Sequence, residues 1–99
     1  MKALIYTTAA ALALGASAPA SSDVQEFCES YQGLAERVMT LRQQGYPMSQ
    51  LIRDLDDDAG TRLVIEAYDE RRRVTGESAK RAIEDFGNDH AAACYRELR

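Results

Sequence analysis

The sequence predicts a small all-α bundle of about four helices that is closed by one disulfide. Three observations indicate this fold. Apolar residues recur at helical spacing, no segment alternates with the period of a strand, and Cys28 and Cys94 stand near the two ends of the predicted domain. With 99 residues, the chain has room for one small domain.

Residues 1–20 have the layout of a secretory signal peptide. A single charge, Lys2, precedes a short apolar run, and Ala18 and Ala20 place small residues before the predicted cleavage site. Cleavage after Ala20 leaves residues 21–99 as one helical domain. Because Lys2 is lost, the formal charge changes from −4 to −5. We therefore expect an exported protein that works in the periplasm or outside the cell.

The first helix is predicted over residues 22–44, and Gly45 with the following Pro47 indicates its end. A short second helix begins after Pro47, with apolar residues at Met48, Leu51, Ile52 and Leu55. The face of the first helix that we expect in the core carries Val24, Phe27, Cys28, Tyr31, Leu34, Ala35, Val38 and Leu41.

The third helix is predicted over residues 61–73, after a run of aspartates that offers caps. Thr75 and Gly76 mark the next turn, and the last helix is predicted over residues 77–98. The expected core residues are Leu63, Val64, Ala67 and Tyr68 in the third helix, and Ala79, Ala82, Ile83, Phe86, His90 or Ala91, Ala93 and Cys94 in the fourth.

Two cysteines in an exported chain predict a disulfide, and Cys28 with Cys94 is the single intramolecular pairing. Closing so long a loop stabilises a small domain by about 4 kcal/mol in the chain-entropy description. The bond would hold the first and last helices antiparallel. A metal site at His90 and Cys94 is the weaker alternative, because no further His or Cys completes its ligand set.

The segment between the second and third helices resembles a calcium loop. Asp54, Asp56 and Asp58 stand at its first, third and fifth positions, where an EF-hand places oxygen ligands. Gly60 and Glu66 each come one residue later than that pattern requires. The alternative is that the aspartates cap the third helix and complement its dipole.

Arg71, Arg72 and Arg73 form a basic tract at the predicted end of the third helix. Such a tract is a candidate partner surface, or it is a solvated helix end that complements the helix dipole. Nucleic-acid binding is not expected, because the chain is acidic and no aromatic residues interleave with the arginines.

The sequence offers no catalytic constellation. With both cysteines paired and one histidine in the chain, no nucleophile has an evident base. We therefore expect a protein that is not an enzyme and that needs no cofactor.

One group of proteins is similar to this chain over nearly all of residues 28–94. The shared residues are Cys28, Ala35, Val38, Met39, Arg42, Gln43, Gly45, Ile65, Ala67, Tyr68, Phe86 and Cys94. The pattern resembles the small exported two-cysteine helical proteins of proteobacteria and their phages. The resemblance implies a bacterial or phage origin and a periplasmic location, and it carries no catalytic residue over.

In that group a proline often follows the Ala-Tyr pair, whereas this chain has residues 69–71 there, so the third helix is expected to run longer. Gly45 is expected to supply the positive φ of a helix C-cap. Arg42 can bond the free carbonyls of the last turn, and Arg42 with Gln43 is expected to reach the acidic segment 56–58.

These inferences favour a non-enzymatic periplasmic protein that binds an envelope partner. If the gene is phage-borne, the small size and predicted location of the protein fit two roles. It would interfere with superinfecting phage, or it would modulate an envelope enzyme such as a lysozyme. A chaperone-like stress protein and a calcium-binding module are the alternatives. The sequence leaves the partner and the oligomeric state open, and predicts no membrane span after cleavage.

Overall fold

The computed structural model describes residues 20–99 as four α-helices. These are α1 (Ala20–Gln43), α2 (Met48–Leu55), α3 (Asp58–Asp69) and α4 (Gly76–Leu98). The described residues contain no strand, and the prediction of an all-α bundle is confirmed. The predicted leader lies outside the described residues except for Ala20. No helix within residues 20–99 has the length and apolar character needed to cross a membrane.

The two long helices, α1 and α4, pack along each other in antiparallel directions. A disulfide joins Cys28 near the start of α1 to Cys94 near the end of α4, with 5.7 Å between their Cα atoms. Further along, Gln32 donates a 3.1 Å hydrogen bond to Asn88. The predicted covalent closure of the bundle is therefore present.

The core lies where α3 and α4 pack on α1 and α2 packs on α3. Its buried residues follow the predicted stripes, but Ala93, which the α4 stripe included, is exposed, and two positions in α1 also differ. Met39 is fully buried although the stripe omitted it, and Phe27, which the stripe included, is 58% exposed. The core residues are Ala35, Val38, Met39, Leu51, Leu63, Val64, Ala67 and Phe86.

The bounds of α3 correct the prediction at both ends. The helix begins at Asp58 because Asp57 caps it, accepting a 2.6 Å hydrogen bond from the Gly60 amide. It ends at Asp69, and Glu70 is extended, with φ −80° and ψ 140°. The prediction that the helix reaches residue 73 was wrong, as was the longer helix expected from the missing proline.

Candidate interaction surface

The three arginines lie in an extended segment, residues 70–73, between α3 and α4; we call it the arginine segment. The predicted helix-end position of the arginines was therefore wrong. Arg72 Nε donates a 3.1 Å hydrogen bond to the carbonyl of Gln43, and Arg73 pairs with the Glu70 carboxylate at 3.1 Å. Arg72 thus ties the segment to the end of α1, Arg73 makes an ion pair within the segment, and both Arg71 and Arg72 are exposed.

The end of α1 binds the arginine segment by side chain to backbone hydrogen bonds. Arg42 Nε donates to the Glu70 carbonyl at 3.0 Å. The Gln43 amide donates to the Arg71 carbonyl at 3.2 Å and accepts from the Arg73 N–H at 2.7 Å. Arg42 and Gln43 therefore meet residues 70–73 and not the expected acidic segment 56–58. These bonds explain why α3 stops at Asp69, since they hold the following backbone extended.

Two further residues of the shared pattern, Gly45 and Tyr68, belong to this junction. Gly45 has φ +86°, as predicted, and turns the chain from α1 towards α2. The Tyr68 hydroxyl donates to the Tyr46 carbonyl, and the Arg42 guanidinium lies 4.8 Å from the centre of the Tyr68 ring. Ala67 and Phe86 are buried core residues. The junction is thus built by Arg42, Gln43, Gly45 and Tyr68, while Ala67 and Phe86 belong to the core.

The aspartate-rich segment is distributed over helix termini. Asp54 accepts a 3.2 Å hydrogen bond from the Tyr46 hydroxyl, Asp56 is the left-handed C-cap of α2, and Asp58 opens α3. Glu66 lies two turns further along α3. Within residues 20–99, no three of the His, Cys, Asp and Glu side chains form a group that could hold a metal ion.

Glu66 instead contacts His90, at the end of the bundle where the disulfide lies. His90 Nε2 is 3.0 Å from Glu66 Oε1, and the histidine side chain is only 14% exposed. Its ring packs on Phe86 and Tyr31, with ring centroids 4.5 and 5.9 Å away. The single histidine is therefore a packed residue that connects α3 to α4.

Beside this histidine, an apolar depression of about 160 Å³ lies between α1 and α4; we call it the disulfide-end groove. Phe27 stacks on Tyr31 with centroids 6.4 Å apart, and Leu98 is 46% exposed. Exposed apolar side chains grouped beside a depression make this surface a candidate interaction site. The groove is lined by Phe27, Tyr31, His90, Ala93, Cys94 and Leu98, with Glu97 at its edge.

The surroundings of the groove are acidic. A wider depression of about 400 Å³ continues from it past Arg62, Glu66, Asp89 and Glu97. The pKa of the Tyr31 phenol is raised, first by burial and then by the charges of Glu66 and Glu97, while Arg62 acts in the opposite direction. The depression is lined by three carboxylates, Glu66, Asp89 and Glu97, and by one guanidinium, Arg62, so its formal charge is negative.

Sequence reasoning missed this surface because it placed Phe27 in the core. Cys28 fixes which face of α1 meets α4, and Phe27, one residue earlier, is turned about 100° away from it. The signal in the sequence was that Phe27 directly precedes Cys28. Because Cys28 must face α4 to form the disulfide, its neighbour Phe27 must lie on a different face of α1.

Comparison with known proteins adds no relative: no protein-family model, curated protein or solved structure matches the chain.

Proposed function

We propose that this chain is an exported, non-enzymatic protein that acts by binding another protein of the cell envelope. The observation that carries this proposal is the exposed apolar groove between the two disulfide-linked helices. Phe27 and Leu98 are 58% and 46% exposed there. Aromatic residues such as Phe are enriched in protein interfaces, and a few well-packed residues supply most of the binding energy there.

The disulfide supports a binding role because it prepares the surface in advance. Cys94 lines the groove and Cys28 follows Phe27 directly. The covalent bond therefore holds the ends of α1 and α4 at a fixed separation. A surface that is already ordered loses less conformational entropy when a partner binds.

The chemistry of the groove favours binding over catalysis. Both cysteines are in the disulfide, and among residues 20–99 there is no free thiol. His90 faces Glu66 and packs between aromatic rings. The lining side chains offer no aliphatic hydroxyl for it to activate.

The location rests on two features of the chain. The signal-peptide layout of residues 1–20 directs export, and a structural disulfide persists in oxidising compartments. Mass spectrometry of the exported protein tests this directly. We expect a chain that begins at Ser21 and lacks two hydrogens relative to its dithiol form.

Photo-crosslinking in living cells tests the binding role. A benzophenone amino acid in place of Phe27 is expected to capture one envelope protein. The same amino acid in place of Val74, which is 99% exposed next to the arginine segment, serves as the control. The captured protein is then purified, and its affinity for the oxidised chain is measured.

Capture from position 27 with measurable affinity supports the proposal. Capture from position 74 alone would move the surface to the arginine segment, with Arg71→Ala as its matched variant. Failure to capture any envelope protein from either position would overturn the proposed function.

A further inference from the structure

The shape of the disulfide-end groove limits what it can hold. The apolar groove itself holds about 160 Å³, below the range of about 300–1,000 Å³ that is typical of small-molecule sites, and the depression that continues from it brings in the charged residues Arg62, Glu66 and Asp89. The apolar groove has room for one apolar side chain of a partner, set between Phe27 and Leu98. The groove is therefore suited to an anchor residue presented by a polypeptide.

The charges around the groove determine what stands next to that anchor. Glu97 borders both the groove and the wider depression beside it. Glu66 and Asp89 extend the acidic surface, and Arg62 is the one lining cation. A carboxylate or a phospholipid headgroup would be repelled there, whereas a lysine or arginine would be attracted.

We propose that the disulfide-end groove binds a cationic protein segment in which an aliphatic or aromatic anchor is flanked by lysine or arginine. This inference rests on the proposed function and specifies the partner's chemistry. The anchor would pack on Phe27 and Leu98, while the flanking cations would lie against Glu97 and Asp89. Charge complementarity of this kind increases the association rate and makes binding sensitive to salt.

Three short synthetic peptides test the chemistry by ¹⁵N NMR titration of the oxidised protein. The first carries Trp-Leu between lysines, the second replaces the lysines with glutamates, and the third replaces Trp-Leu with serines. We expect the first peptide alone to shift the amide signals of Phe27, Ala93 and Leu98, and to bind more weakly as salt is added.

Charge reversals at two positions on α4 provide a matched pair. Glu97→Lys is expected to weaken the first peptide about tenfold, or about 1.4 kcal/mol. Glu84→Lys makes the same charge change 13 residues earlier on an exposed position and should leave the affinity within about twofold. Glu97→Lys puts a cation in the last turn of α4, which the helix dipole favours, so the variant is expected to fold.

Equal binding of the glutamate peptide, or signal shifts confined to residues 71–74, would overturn the inference. So would sedimentation showing that a second copy of the chain fills the groove, or no binding of any peptide. If the partner captured from position 27 binds Glu97→Lys unchanged, the proposed function stands and the cationic partner is wrong.

Discussion

Gln43 Oε1 accepts a 2.7 Å hydrogen bond from the backbone N–H of Arg73, 30 residues further along the chain. The same side-chain amide donates to the Arg71 carbonyl at 3.2 Å. One residue at the end of α1 thus holds the backbone that follows α3. This contact makes the backbone of the arginine segment part of the fold.

Removing the Gln43 side chain should release the arginine segment. We expect Gln43→Ala to lower the free energy of unfolding by about 1–2 kcal/mol, because two hydrogen bonds to backbone groups are lost. Trypsin should also cleave faster after Arg71 to Arg73. Gln44→Ala, at the exposed neighbouring position, should change stability by less than about 0.5 kcal/mol. Equal urea midpoints for the two variants would contradict the role of Gln43.

The disulfide should contribute much of the stability. Its cysteines are 66 positions apart, and constraining such a loop in the unfolded chain is worth about 4 kcal/mol. Reduction, or the double substitution Cys28→Ala with Cys94→Ala, should lower the melting temperature by roughly 15 °C or more. Circular dichroism measures this. Unchanged melting, together with labelling of both thiols in the exported protein, would refute the covalent closure.

Two glycines in helix interiors should respond in opposite ways to alanine. No atom lies within 4 Å of a Cβ built on Gly33, whereas one built on Gly87 would stand 2.5 Å from Glu36 Cγ. Gly33→Ala should therefore stabilise by about 0.5–1 kcal/mol. Gly87→Ala should destabilise by about 1–3 kcal/mol, since the Glu36 side chain must move out of the space between α1 and α4.

The Gly87 effect can be assigned to Glu36 by a double-mutant cycle. Adding Glu36→Ala to Gly87→Ala removes the side chain that obstructs the new methyl group. We expect the double variant to recover most of the loss, measured by urea unfolding. Strict additivity of the two substitutions would show that the close approach of α4 to α1 has another cause.

Asp57 should stabilise α3 as its cap. Asp57→Ala removes the acceptor of the 2.6 Å hydrogen bond from the Gly60 amide and is expected to cost about 1 kcal/mol. Asp58→Ala should cost about half as much, through the helix dipole alone. Both losses should be the same in millimolar calcium chloride and in EDTA. A loss that requires calcium would favour the metal-loop hypothesis instead.

Stability should fall at alkaline pH. The pKa values of Tyr31, Tyr46 and Tyr68 are raised, in each case first by burial. Above about pH 10 the unfolded chain therefore releases phenolic protons before the folded chain does. The stability that the three shifted phenols contribute is complete below about pH 10, and it is lost as the pH rises through the pKa values of these tyrosines in the folded protein.

Tyr31→Phe isolates one contribution to this alkaline loss. The variant should melt near the parent temperature at pH 7 and lose less stability than the parent above pH 10, because one shifted phenol is gone. Melting curves across this range measure the difference. Identical alkaline losses for the two proteins would show that Tyr31 is not coupled to folding.

The sequence by itself determined the helical class, the turn-side ends of α1, α2 and α4 to within about one residue, the cysteine pairing and the left-handed turn at Gly45. These features follow from local chemistry: apolar spacing, turn residues and the small number of cysteines. The roles of Arg42 and Gln43 in holding the fold were also expected, although their binding partners were not.

Tertiary structure alone decided the rest. The end of α3 depends on hydrogen bonds from residues about 28 positions earlier, and helical spacing carries no information about contacts over that distance. The exposure of Phe27 depends on how the disulfide orients α1 against α4, and the contact of Glu66 with His90 depends on where α3 crosses. The groove lies between α1 and α4. Its exposed apolar residues could not be predicted, because the packing of one helix on another, and not the apolar spacing within a single helix, determines which apolar side chains stay at the surface.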